Sequence, residues 1–366
     1  MGAALAQRGP DGRGELIEPG IALGCRRLAA HVEPHAHQPV TNGRFAGVVH
    51  GSLSDHAAER ARLTARGAAF RTGSDAEVWV HAFADAGDAY LAQARGSFAL
   101  AMWDRKERRL VLARDRFGIC PLMLTEADDW LLFASEIKAL FATGMVEARI
   151  DPRAIDHVFA CLCASPARSA FAGIKPLPAG HRVIARDRST IASRFADLEF
   201  PGRGYERRAT TPAAVEEVAT ELDEALTGAV ARRLAAEAPV ATYLTSGLDS
   251  SLLLAMAARN RGEVTAFTIG LDGLGPDEAE LAAVTARRAG AAHVIVPLDA
   301  ERVGALFPEV VLAAEVPVLD HGGTAMLALA REVRARGFKT VLSGAGADEA
   351  FAGNPWTARA HRSGYV

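Results

Sequence analysis

The sequence predicts a two-domain protein of mixed α/β and α+β class, in which a strand-rich amino-terminal domain precedes a parallel sheet covered by helices. Three observations predict it. The chain has 366 residues, roughly twice the usual domain size of about 150. Its character changes near residue 200: short apolar runs between turn signals give way to apolar runs alternating with helix-length segments. Residues 200–212, where the change falls, are rich in proline, glycine and charge and read as a linker. The expected domains are therefore 1–199 and 213–366.

In the first domain Phe45–Val49 ahead of Gly51, Phe98–Trp103, Leu110–Ala113 and Leu131–Ala134 read as strands, with a helix over Ala76–Ala86. In the second, Thr211 is placed to cap a helix whose first residue is Pro212, a position that needs no N–H. Val215, Val218, Leu222, Leu226, Val230 and Leu234 recur at spacings of three and four and mark one apolar face of that helix. Strand-like Val240–Leu244 follows, then a helix from about Ser251 to Arg259 and strand-like Thr265–Ile269. A helix over Ala279–Ala289, a strand at His293–Pro297, two further helices and a last strand at Thr340–Leu342 complete the pattern. Such alternation predicts a parallel sheet, and ligands of these sheets bind at the carboxyl ends of the strands.

Composition narrows the chemistry. Lys and Arg number 41 against 44 Asp and Glu, a net charge of -3, which lacks the basic surplus that binding a nucleic-acid backbone requires. Apolar runs such as Val310–Ala314 are far too short to span a membrane, and residues 1–20 contain no apolar core of a secretion signal. Four cysteines in so long a chain do not make a disulfide framework. The expected setting is cytoplasmic, with small-molecule partners and neither nucleic acid nor membrane.

The first strand of the second domain ends in Leu244-Thr245-Ser246-Gly247-Leu248-Asp249-Ser250-Ser251. Small residues let the backbone turn tightly before a helix, whose free N–H groups and hydroxyls form an anion cradle. A carboxylate inside such a cradle makes sense when a divalent cation bridges it to phosphate oxygens. The last strand ends in a second small-residue turn, Leu342-Ser343-Gly344-Ala345-Gly346-Ala347-Asp348-Glu349. Asp249 and Asp348 are thus expected to face one nucleotide and share magnesium.

These two loops resemble the pyrophosphate loop (LSGGLDSS) and the second metal-binding loop (LSGEGADELFGG) of the asparagine synthetase family. The resemblance runs along nearly the whole chain. Gln7-Arg8-Gly9-Pro10-Asp11-Gly12 resembles HRGPDG, Leu23–Leu28 resembles LGHRRL, and Thr72–Val78 resembles TGSDTEV. Ala113–Ile119, Phe133–Leu140 and Ile174–His181 match almost letter for letter. The resemblance implies a class II glutamine amidotransferase (N-terminal-nucleophile) sandwich lacking its first strand, followed by an ATP pyrophosphatase domain incomplete at its carboxyl end. It implies an ATP-dependent amide ligase that activates aspartate or an analogue as an acyl adenylate for attack by ammonia or an amine. By matching positions, Leu244, Thr245, Ser246, Gly247, Asp249, Ser250, Ser251, Ser343 and Gly344 would hold ATP and pyrophosphate, with Ile269 and Gly270 near the adenine. Asp249 and Asp348 would hold Mg2+, Arg27, Gly51 and Asp75 would bind glutamine, and Glu315 and Glu349 would shape the acceptor site.

The departures from the family are also informative. The amidotransferase reaction uses an amino-terminal cysteine, whereas Met1 is followed by Gly2, and Cys25 lies mid-chain without a free amine. His50 stands where the family has an oxyanion-stabilising asparagine, so glutamine hydrolysis by these residues is not expected. Ser246 replaces a glycine of the pyrophosphate loop, and Ala345 replaces the glutamate expected to orient the attacking nitrogen. Three readings stay open beside each other. The chain is an amide ligase, acting as a homodimer or with a complementing polypeptide; a relative that forms lactams or peptide amides; or a non-catalytic relative that binds nucleotide or a partner.

Overall fold

The computed structural model describes residues 1–29, 37–199, 209–234, 239–271 and 278–353. The chain divides into two compact units. The first is Met1–Arg207 together with Ala313–Leu319, and the second is Arg208–Leu312 together with Asp320–Val366. Residues 200–208 of the expected linker lie outside the described residues.

The first unit runs β1 (Gly12–Glu18), β2 (Ile21–Arg27), β3 (Val40–Thr41), β4 (Phe45–Leu53), α1 (His56–Ala65), α2 (Asp75–Ala86), α3 (Tyr90–Gln93), β5 (Gly96–Asp104) and β6 (Arg109–Arg114). It continues through β7 (Met123–Ala127), β8 (Trp130–Ala134), α4 (Ile137–Phe141), α5 (Pro152–Cys161), β9 (Lys175–Pro176), β10 (His181–Arg186) and β11 (Ser189–Arg194). A six-stranded sheet in the order β11-β10-β6-β5-β4-β3 carries the unit, with a β1-β2 ribbon and a β8-β7-β9 sheet beside it. Its central strand β5 is buried from Phe98 to Asp104 because both faces are covered. Phe98, Leu100 and Met102 pack with Trp79 and Phe83 of α2 on one face. Ala99, Ala101 and Trp103 meet Ile21 and Leu23 of β2 on the other. This is the expected sandwich, layered on one side by helices and on the other by strands.

One buried carboxylate organises its centre. Asp115, fully buried after β6, accepts backbone N–H groups of Phe98, Phe117, Ile119 and Cys120 at 3.0–3.2 Å. Four donors on one carboxylate satisfy a turn that otherwise buries unpaired amides. The near letter-for-letter match at Asp115-Arg116-Phe117-Gly118 therefore reflects a structural junction.

The second unit runs α6 (Pro212–Leu234), β12 (Val240–Tyr243), α7 (Leu248–Arg261), β13 (Thr265–Leu271), α8 (Glu278–Ala289), β14 (Ala292–Leu298), α9 (Ala300–Ala314), α10 (Gly322–Ala335), β15 (Thr340–Leu342) and α11 (Ala347–Phe351). The sheet is parallel throughout, in the order β14-β13-β12-β15. Ala266, Leu254, Met256 and Ala282 fill one face, and Phe267, Val296, Leu306 and Leu329 the other. Thr211 caps α6 as expected, its hydroxyl accepting from Ala214 N at 3.2 Å. Among the described residues no helix is long and apolar enough to cross a membrane.

Two expectations are corrected. Helix α7 begins at Leu248, not near Ser251, so Asp249 lies in its first turn. The small residues that read as loop are instead a helix start, and exposed Leu248 gave no apolar periodicity to reveal it. The predicted apolar face of α6 is buried only towards its end, at Val230 and Leu234, while Val215 and Leu222 are exposed.

Candidate functional site

The two loops singled out in the sequence meet at the carboxyl edge of the parallel sheet. Strands β12 and β15 are neighbours, with Thr242 paired to Leu342, so the loops that follow them emerge side by side. They touch at Gly344: a Cβ there would stand 3.2 Å from Asp249 Cβ and 3.3 Å from both the Asp249 carbonyl carbon and Ser250 N. A side chain there would be crowded against the first turn of α7, and glycine leaves room for the second loop to lie this close.

Within the first loop, hydroxyls hold the backbone in shape. Thr245 N donates to Ser250 Oγ at 3.0 Å, and the Thr245 and Ser250 hydroxyls lie 2.9 Å apart. Gly247 N donates to Thr245 Oγ1 at 3.1 Å, and Ser251 Oγ donates to Gly247 O at 2.7 Å. Ser250, expected to hold pyrophosphate directly, is 8 % exposed and braces the loop from inside. Ser246, Gly247 and Asp249 are open to solvent. Gly247 is the N-cap of α7 and offers no side-chain cap, so the first amides of a 14-residue helix face outward without intrahelical partners. Together with the helix dipole, such amides are suited to receive an anion.

Asp249 and Asp348 each sit in the first turn of a helix, exposed, their carboxylates without a hydrogen bond or ion pair among the described residues. Two free carboxylates beside an amide cradle are a sensible donor set for a hard cation that also takes phosphate oxygens. Among the described residues no group of three or more His, Cys, Asp or Glu is arranged to hold a metal ion. In the second loop Ala345 N donates to Ser343 Oγ at 3.2 Å, and Gly346 turns with φ +98° into α11. Ile269 and Gly270 end β13 on the same sheet edge, with Gly270 paired to Pro297.

The two residues expected at the acceptor site part company. Glu349 is exposed in α11 of the second unit. Glu315 belongs to the segment grouped with the first unit, where its two carboxylate oxygens accept Ile137 N and Lys138 N at 2.7 Å each. It caps the start of α4 from a left-handed backbone, φ +55°.

In the first unit Gly51 needs its conformation: φ is +113°, and a Cβ would run into the Ser97 carbonyl and lie 3.0 Å from Cys120 Sγ. Asp75 Oδ2 accepts Leu53 N at 2.8 Å, tying the start of α2 to the end of β4. Arg27 ends β2, and its carbonyl accepts Asp11 N at 2.9 Å. His50, on β4 opposite Ala99, has a buried Nδ1 without a partner. Burial, and then the charge of Arg8, pushes its pKa down to about 4, so the ring is neutral at pH 7. Burial raises the Cys25 thiol, and the Cys120 thiol is pushed up to about 11; neither is a ready thiolate. Cys161 and Cys163 are exposed at the end of α5.

A residue that sequence reasoning missed is Thr268, buried in β13, whose hydroxyl donates to Leu244 O at 2.8 Å just before the loop. The available signal was a lone hydroxyl within the apolar run Ala266-Phe267-Thr268-Ile269.

Two family models match successive parts of the chain. Residues 1–196 match the glutamine amidotransferase domain model and residues 221–365 the asparagine synthase model. Amidase chyE of Penicillium rubens is 32% identical over 95% of this chain and 53% of its own length. Amidase chry2 of Gibberella zeae is 32% identical over 95% of this chain and 54% of its own. A glutamine-hydrolyzing asparagine synthetase of Bacillus subtilis, the third of that organism, is 27% identical over 97% of this chain and 60% of its own. The chain thus spans little more than half the length of these relatives. With a glutamine amidotransferase domain followed by an asparagine synthase domain, the chain belongs to the asparagine synthetase family.

Proposed function

We propose that the second unit binds ATP with Mg2+ at the carboxyl edge of its sheet and activates a carboxylate for amide formation. The carboxylate oxygen attacks the α-phosphorus of ATP, the bond to the β,γ-diphosphate breaks, and acyl-AMP and pyrophosphate form. Ammonia or an amine then attacks the acyl carbon, AMP leaves, and the nitrogen gives up a proton. Aspartate or an analogue is the proposed acceptor. The observation that carries this reading is the contact of Gly344 with Asp249 and Ser250, which brings two exposed, unpaired carboxylates and the open amides of α7 to one edge.

Asp249 and Asp348 would hold the cation, which when bound neutralises charge on the phosphate oxygens. The first-turn amides of α7 take the departing pyrophosphate, where donors aimed in advance at developing charge lower the barrier most. The Thr245–Ser250 brace keeps those amides aimed. A cytoplasmic setting, rich in ATP and reducing towards thiols, suits the four free cysteines.

ATP–pyrophosphate exchange tests this reading. Asp249→Asn and Asp348→Asn are each expected to lower exchange by about 100-fold or more while leaving the melting temperature unchanged, since both side chains are exposed. Exchange at the wild-type rate in both variants would overturn the assignment. Ala345 favours a second reading: without an acid at that position, the unit forms the acyl adenylate without completing amide formation. Exchange without amide product would select it.

As for the first unit, we infer that neither Cys25 nor Cys120 is a glutaminase nucleophile, because burial keeps both as thiols.

A further inference from the structure

The peptide unit joining Leu244 to Thr245 is the last before the nucleotide loop leaves the sheet, and it is held at both polar ends. Its N–H, on Thr245, donates to Ser250 Oγ at 3.0 Å. Its carbonyl, on Leu244, accepts from Thr268 Oγ1 at 2.8 Å. A peptide unit is a rigid plane, so gripping both ends fixes its rotation and the direction in which Thr245 leaves β12.

Thr268 is 3 % exposed on the neighbouring strand β13. The same hydroxyl lies 2.8 Å from His293 Nε2, on β14. A hydroxyl has one proton to donate and lone pairs to accept with. With that proton directed to Leu244 O, Nε2 must be the donor in the second contact. His293 therefore sets which way the Thr268 hydroxyl points. A polar relay thus crosses three adjacent strands, from His293 through Thr268 to Leu244, and ends on the first peptide of the loop. If His293 carried its proton on Nδ1 instead, the Thr268 hydroxyl would turn to Nε2 and release the Leu244 carbonyl.

We infer that Thr268 is a positioning residue for the nucleotide loop, with His293 orienting its hydroxyl. The inference rests on reading the loop as the ATP and pyrophosphate site. Among the described residues the side-chain bonds within the loop are short-range ones, which shape it but do not aim it. Aim comes from the sheet, where Leu244 N donates to Phe267 O at 2.9 Å and, among the described residues, the Thr268 side chain joins sheet to loop. An anion cradle binds well only when its amides are held at the right angle before the ligand arrives.

The test uses the 366-residue chain, with calorimetric titration of Mg-ATP and mass-spectrometric hydrogen exchange over peptides covering residues 244–251. Thr268→Val keeps the shape and removes the hydroxyl. It is expected to weaken Mg-ATP binding by about 10-fold and to speed exchange in the loop while β13 and β14 keep their protection. Thr268→Ser restores the donor and stays within about 2-fold of wild type. His293→Leu leaves Thr268 in place but undirected and costs about 3-fold, again with faster loop exchange. Thr268→Val with wild-type binding and wild-type loop exchange would overturn the inference. If that variant does not fold, unchanged loop exchange in His293→Leu overturns it instead. Should the wild-type chain bind no Mg-ATP, the nucleotide reading fails by itself and loop exchange alone decides the part played by Thr268.

Discussion

Carboxylates serve opposite ends in the two units. In the sandwich, Asp115 is fully buried and surrounded by four backbone N–H donors. At the edge of the parallel sheet, Asp249 and Asp348 are exposed and unpaired among the described residues. All three lie in stretches that resemble the same family, yet one acid holds a turn together and two stand open for a ligand. Letters alone do not separate these cases; the count of donors around each carboxylate does. The glycines divide the same way. Gly51 adopts a backbone that other residues avoid, whereas Gly344 keeps space for the contact between two loops.

The largest effect expected from breaking this contrast is Asp115→Ala. It strands four donors, three of them on the turn and one on the central strand, and should cost the sandwich at least about 4 kcal/mol. Calorimetry would show the transition of the first unit lost or far lower; a shift no larger than that of a surface substitution would mean that water replaces the carboxylate.

The glycine pair comes next. Gly51→Ala should destabilise the sandwich by about 3 kcal/mol, from the strained φ and the collision with Ser97. Gly344→Ala crowds Asp249 and the Ser250 amide and shifts the two loops apart by a few tenths of an ångström, so ATP–pyrophosphate exchange should fall by about 10-fold with little change in melting. Equal losses of stability in both variants would erase the distinction.

His50 supplies a pH effect. Its pKa falls to about 4 from an ordinary 6.5, so the folded state favours the neutral ring and the unfolded chain takes up the proton first as pH drops. Stability from this group is whole above pH 6.5 and declines between 6.5 and about 4, by about 3 kcal/mol in all. Urea denaturation at pH 7 and pH 4.5 should show His50→Asn with a flatter pH dependence than wild type. Identical slopes would mean the imidazole is not held neutral in the fold.

Glu315→Gln is the smallest. It replaces one of the two acceptors at the start of α4 and should cost about 1 kcal/mol with exchange unaltered. A loss of exchange without loss of stability would return Glu315 to the acceptor site.

Much of the second unit was legible because its signals are local. Thr211 and Pro212 mark the start of α6, the strand at Thr340–Leu342 falls where it was expected, and both loops follow strands. The apolar stripe on α6 shows why the rest was harder. Periodicity tells which side chains share a face, not whether the face has a partner, and Val215 and Leu222 are left exposed. Ser250 read as a ligand because hydroxyls suit phosphate, but burial turned it inward as a brace. Glu315 caps a helix 178 residues earlier in the chain, a distance no local pattern reports. Thr268 acts through a strand neighbour, and only the sheet order reveals which strand that is.

That order has a consequence for how the protein is made. The second loop is delivered by β15, a three-residue strand at the rim of the sheet and the last strand among the described residues. Asp249 leaves the ribosome long before Asp348, and at about 5–20 residues per second the first half of the nucleotide site waits several seconds for the second. During that interval the nascent chain carries an anion cradle without its opposing carboxylate. On the proposed reading, Mg-ATP would stabilise only chains in which β15 has joined the sheet.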